Sequence, residues 1–164
     1  MKYLFLLSLP LTWGQARQHV ESTIVLHLNA APSEIFPLFG PVREAEWAKG
    51  WDPRILYPED RAQIAGTTFT IGEGADQQIW ILTTYDPKNR RASYAYFEPG
   101  IAANQIEISI QAAPGGTSEA SVTYKRTALS EAGDRAVAQF KQRFPSHRAH
   151  WEDAINTRLK ALQP

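Results

Sequence analysis

Between Arg54 and Leu129 the chain is a succession of strand-like runs separated by turn residues, and no other stretch restricts the fold as strongly. The segment "NQIEISIQ" sets Ile106, Ile108 and Ile110 against Gln105, Glu107 and Ser109. Alternation with a period of two makes one face of a strand apolar and the other polar. Such runs build an antiparallel sheet that is dry on one side and wet on the other. They read as Arg54–Glu59, Thr67–Glu73, Gln77–Tyr85, Arg91–Glu98, Ala103–Ala112 and Glu119–Leu129. Gly66, "GEGAD", "DPKN", "EPG" and "PGG" lie between them, all good turn formers. A further strand precedes them in "VESTIVLHLNA", where Ile24, Leu26 and Leu28 alternate with Val25 and His27. Pattern alone does not orient Trp80, because Trp80/Leu82 and Ile79/Ile81 both look apolar.

A sheet with one dry face needs a cover, and the last third of the chain supplies it. Val137, Phe140 and Phe144, then Trp151, Ile155, Leu159 and Leu162, recur at helical spacings of three and four. Pro145 is expected to kink or interrupt this helix, with Ser146 as a fresh cap. After the first strand, "APSEIFPLFGPV" offers Ser33 as an N-cap, while Pro37 and Pro41 confine any helix to short pieces. A second short helix is expected over Val42–Ala48. The class is therefore α+β: a curved seven-stranded antiparallel sheet wrapped around a long C-terminal helix, with two short helices after the first strand.

That order of elements resembles the helix-grip fold of the START/SRPBCC superfamily, shared by birch-pollen allergens and polyketide aromatase/cyclases. The resemblance spans Glu21 to Leu162. Four phrases are similar to a bacterial SRPBCC subgroup: "FPLFGPVREAEWAKGWDP", with its Trp-x-x-Gly-Trp-Asp-Pro motif, "YDPKNRRASYAYFEPG", "TYKRTALSEAG" and "WEDAIN". The resemblance implies a deep cavity between the concave sheet and the terminal helix, suited to an apolar or aromatic small molecule. It does not transfer a reaction, because one fold hosts many functions.

Rings are numerous for a core of this size, and some are expected to line that cavity. The candidate ligand-binding residues are Trp47, Trp80, Tyr96, Glu98, Tyr124, Phe140, Phe144 and Trp151. Trp47 and Trp51 are four residues apart in "EAEWAKGWDPRILYP", with Gly50 between them as a turn. Trp51 is expected to anchor the corner into the next strand, and Trp47 to face the ligand space. A cyclase or dehydratase would need an acid or base inside the apolar cavity, its pKa shifted by desolvation. Arg43, Glu44, Glu46, Asp52 and Glu98, the charged residues nearest the rings in sequence, supply the enzymatic candidates. Glu98 and Tyr96 are the candidates for such a role, but packing accounts for both equally well, so no catalytic residue is assigned.

Other chemistries find no support in the chain. His147 and His150 fit a solvated helix face better than a metal site. No Gly-x-Ser-x-Gly elbow marks a hydrolase, and the glycine turns lack the Gly-Lys-Ser/Thr ending of a phosphate loop. Cysteine is absent, which excludes disulfides, thiolate nucleophiles and Cys-ligated zinc. With 17 Lys plus Arg against 17 Asp plus Glu, no bulk charge attracts nucleic acid. The start, "MKYLFLLSLPLTWGQA", has one cation, a short apolar run and small residues at the end, the layout of a secretory signal. Residues 1–16 are expected to be that signal and 17–164 a single domain. The apolar run is too short to span a bilayer, so no stable membrane insertion is expected after cleavage. The function expected is an exported, periplasmic or secreted protein binding a small hydrophobic, aromatic, lipid or polyketide-like ligand, with no metal or cofactor. A cyclase/dehydratase-like enzyme and a protein-interaction module with a filled cavity are the alternatives.

Overall fold

The computed structural model describes residues 16–162. The expected signal lies outside them except for Ala16. Strands β1 (His19–Leu28), β2 (Arg54–Tyr57), β3 (Thr68–Ile71), β4 (Gln78–Asp86), β5 (Arg91–Glu98), β6 (Ala102–Ala113) and β7 (Thr117–Ala128) form one sheet. Its order is β1-β7-β6-β5-β4-β3-β2, with every neighbouring pair antiparallel. Helices are α1 (Pro32–Ile35), α2 (Glu131–Arg143) and α3 (His147–Lys160).

Alternation along the strands dictates which face is dry. Ile106, Ile108 and Ile110 of β6 are buried, as are Ile24, Leu26 and Leu28 of β1. Trp80 and Leu82 also turn inward, whereas Ile79 is 51% exposed, which settles the orientation that pattern left open. Register passes the buried positions from strand to strand: Leu82 lies opposite Tyr94, Tyr94 opposite Ile106, and Ile106 opposite Tyr124.

The terminal helix covers this face as expected, broken at Pro145 into α2 and α3 by a 3-10 turn over Phe144–Ser146. Ser146 occupies the cap position of α3, yet its hydroxyl donates to the Arg143 carbonyl behind it instead of capping α3. Ser130 caps α2, accepting from the Gly133 amide at 3.0 Å. Helix α3 also closes the free edge of β1. Glu152 accepts from the His27 amide at 2.8 Å, and Asn156 bonds both the Asn29 amide and the His27 carbonyl. These side chains satisfy edge groups that would otherwise be open to another strand.

The short elements differ in detail from expectation. Helix α1 starts at Pro32 with Ala31 as its cap residue, so Ser33 lies within the first turn. Proline at the first helical position has no amide to leave unpaired there, which moves the start ahead of the serine. The second short helix is a 3-10 turn, Arg43–Glu46, rather than a helix over Val42–Ala48.

Gly133, buried inside α2, sits so close to the β5–β6 turn that an added Cβ would lie 2.1 Å from the Ile101 carbonyl oxygen. Alanine normally stabilises a helix by about 1 kcal/mol over glycine. Here Gly133→Ala is expected to destabilise by about 1–3 kcal/mol, because backbone must move. Denaturant unfolding measures it, and a more stable variant would contradict the packing described.

Candidate functional site

Two prolines determine how the aromatic residues are held. Pro37 and Pro41 keep the segment after α1 from continuing as a helix, and a 3-10 turn, Phe36–Phe39, is all that forms. Carbonyls at the end of such a turn lack partners within it. Three aromatic side chains supply them. The Trp47 indole N–H donates to the Leu38 carbonyl at 2.8 Å, the Trp51 indole to Pro41 at 2.7 Å, and the Tyr94 hydroxyl to Phe39 at 2.7 Å. Gly50, at φ +84°, provides the left-handed turn that brings the two tryptophans to one side.

With their polar ends tied down, the rings enclose a cavity. Phe39, Trp47, Ala48 and Trp51 close one side, and Trp151 of α3 joins them. Sheet residues Trp80, Tyr94, Ile106, Ile108, Val122 and Tyr124 form the floor, and the volume is about 70 Å³. Edge-to-face contacts knit the wall together: Trp47 meets Phe39 at 5.9 Å and Trp151 at 6.0 Å, and Trp51 meets Trp80 at 5.2 Å between centroids.

One carboxyl enters this apolar space. Glu44 lies in the turn three residues before Trp47 and lines the cavity with it. The residue as a whole is half-buried, and desolvation by the protein packed around its carboxyl pushes its pKa from 4.5 up to about 8. No cation lines the cavity to offset that. Arg43 instead bonds Glu46 at 2.8 Å, and Arg158 of α3 bonds the same carboxylate at 2.9 Å. Burial, reinforced by the Glu44 charge, raises the Tyr94 and Tyr124 hydroxyls well above the usual tyrosine value. Neither the Glu44 carboxyl nor the Tyr124 hydroxyl is held by a hydrogen bond to another of the described residues.

The residues singled out from sequence divide into two groups. Trp47, Trp80, Tyr124 and Trp151 stand on the cavity wall. Tyr96, Glu98, Phe140 and Phe144 do not line it. Tyr96 is stacked flat against Trp80, at 3.7 Å and 1° between rings. Glu98 accepts from Arg126 at 2.7 Å, and Arg126 lies 4.5 Å from the Phe140 ring centre. Phe140 and Phe144 pack on Tyr124, at 5.3 and 4.8 Å. Trp51 shares the wall with Trp47 instead of serving only the corner. Glu44, a candidate only for acid–base work, and Tyr94 were not among the residues expected to bind ligand. The i, i+3 relation of Glu44 to Trp47 was the available signal. His147 and His150 are exposed, and no group of three or more His, Asp or Glu able to hold a metal occurs among the described residues.

No protein-family model and no curated protein matches this chain. Solved structures do resemble it. Norcoclaurine synthase from Thalictrum flavum superposes with a TM-score of 0.65 at 13% identity, covering 99% of this chain and 100% of its own. Ara h 8.0201 gives 0.64 at 12%, covering 87% and 99%, and a Thermobifida fusca protein gives 0.63 at 11%, covering 87% and 95%. The chain has the helix-grip fold. At such identities the likeness shows the fold alone, the one shared by birch-pollen-allergen-like and START/SRPBCC proteins.

The buried carboxyl has a consequence for stability. Between pH 4.5 and about 8 the unfolded chain has lost the Glu44 proton while the folded chain keeps it. Stability therefore falls as pH rises through that window. Glu44→Gln removes this loss, so its stability relative to the parent should increase from pH 4.5 to 8 and level off above. Paired urea titrations across that range check it; a constant difference would mean that the carboxyl is not desolvated.

Proposed function

We propose that this is an exported protein of the helix-grip fold that binds a small apolar or aromatic molecule in the ring-walled cavity. The observation that carries the reading is the cavity itself, lined by four tryptophans and holding a single carboxyl. Aromatic walls contribute affinity through buried area and through ring geometry. At about 70 Å³ the cavity is well below the roughly 300–1,000 Å³ of pockets for drug-sized ligands. A compact ligand suits it, and a longer lipid or polyketide-like molecule would enter only if the wall parted. Export rests on the layout of residues 1–16, and membership of the bacterial SRPBCC subgroup rests on the Trp47–Pro53 motif. No helix among the described residues is long and apolar enough to cross a membrane.

A second reading, an enzyme of the cyclase/dehydratase type, is favoured by one observation. A carboxyl with a pKa of about 8 is poised for proton transfer near neutral pH, and Tyr124 presents a free hydroxyl in the same space. A norcoclaurine synthase of this fold has been solved with dopamine and hydroxybenzaldehyde bound, so the architecture is compatible with catalysis in that protein. The binding reading comes first because it needs only the cavity.

Titration with a panel of one-ring compounds, including phenol and toluene, is expected to quench tryptophan fluorescence saturably at one site per chain. Ala48→Leu places extra carbons in the cavity and should weaken that binding by more than about tenfold while the folded circular-dichroism spectrum is kept. An absence of quenching across the panel would overturn the binding reading.

A further inference from the structure

The cavity combines features that, taken together, select the charge of its occupant. Three of its four indoles have their N–H groups engaged outward, by Leu38, Pro41 and the Gln78 side chain at 3.0 Å. What these indoles offer inward is ring, not hydrogen-bond donors. Aromatic faces attract cations through the ring quadrupole, most strongly at tryptophan, and cages of such rings are the usual receptor for methylated ammonium groups. The carboxyl of Glu44 stands among them without a partner, and no Lys, Arg or His lines the space. Surrounding charges are already paired, Arg43 and Arg158 on Glu46 and Arg126 on Glu98. Tyr94 and Tyr124, which face Glu44 from β5 and β7, remain neutral.

We infer that the ligand of this cavity is a small organic ammonium, with Glu44 as its counter-ion and Trp47, Trp51 and Trp80 as the rings that hold its alkyl or methyl groups. This rests on the binding reading above and narrows it to a ligand class. An anion is disfavoured on both counts, since it would meet a carboxyl and the negative faces of the rings. A neutral apolar molecule would fill the volume but leave the carboxyl without a partner, which is costly, and a neutral hydroxyl would give it a hydrogen bond but no opposite charge. Volume agrees with a compact cation. A cavity of about 70 Å³, far below the roughly 300–1,000 Å³ of pockets for drug-sized ligands, suits a small cation rather than a long-chain one.

The test uses two probes of nearly equal size that differ in charge, tetramethylammonium chloride and tert-butanol, followed by tryptophan fluorescence with sodium chloride as the ionic-strength control. At about pH 9, where Glu44 is ionised, tetramethylammonium should bind at least about tenfold more tightly than tert-butanol. In Glu44→Gln the difference should shrink to what the rings alone supply. Near pH 7, binding of the cation should release close to one proton per chain, read by calorimetry in two buffers of different ionisation enthalpy. Equal binding of both probes to the unmutated protein overturns the ammonium assignment and leaves the binding reading standing. So does a preference that is undiminished in the Gln variant. If neither probe perturbs the tryptophans while phenol or toluene does, the ammonium assignment falls alone; if none of the compounds does, both readings fall.

Discussion

Three carbonyls left unpaired by two prolines organise the centre of this protein. Leu38, Phe39 and Pro41 cannot bond within a helix that Pro37 and Pro41 interrupt, and Trp47, Tyr94 and Trp51 donate to them instead. Each such bond contributes about 0.5–1.5 kcal/mol net, and leaving a buried carbonyl unpaired costs more than that. Their larger effect is orientation. A large ring whose polar end is held at the backbone has few rotamers left, so its body points into the space between sheet and helix. The cavity is thus a consequence of the broken helix as much as of the curved sheet.

The same segment delivers the carboxyl. Glu44 follows Pro41 in a single 3-10 turn whose other charged residues, Arg43 and Glu46, pair with each other and with Arg158 outside the cavity. An acid in that position with no cation beside it opposes folding at high pH, and an arrangement that costs stability is typical of functional sites. Residues that do not line the cavity, by contrast, are ordinary stabilising features. The Arg126–Glu98 pair against Phe140 and the bonds of Glu152 and Asn156 to the β1 edge hold sheet and helix together without reaching the cavity.

Much of the fold was legible because period two and period 3.6 are direct readouts of burial. Strand β5 has the bounds read from "RASYAYFE", whereas β2 stops at Tyr57, one residue before Pro58, because proline has no amide to offer a ladder. Ser33 misled as a cap because Pro32 already satisfied the requirements of a first helical turn. Within the site, Trp47, Trp80, Tyr124 and Trp151 could be named as large rings near a cavity. Tyr96 and Phe144 could not be separated from them, since a ring in the wall and a ring behind it look the same in sequence. Glu44 could be named as a charged neighbour of the rings but not oriented, for a different reason. It lies in a turn between prolines, where no periodicity reports which way a side chain faces.

The site depends most on a carboxyl set among rings, and its titration can be observed directly. Carbon-13 labelling of glutamate side chains, with Glu44 assigned through the Gln variant, would follow the carboxyl shift against pH. A midpoint near 8 is the expected result. A midpoint near 4.5, the ordinary value for glutamate, would show that the carboxyl is solvated and would contradict the site as described.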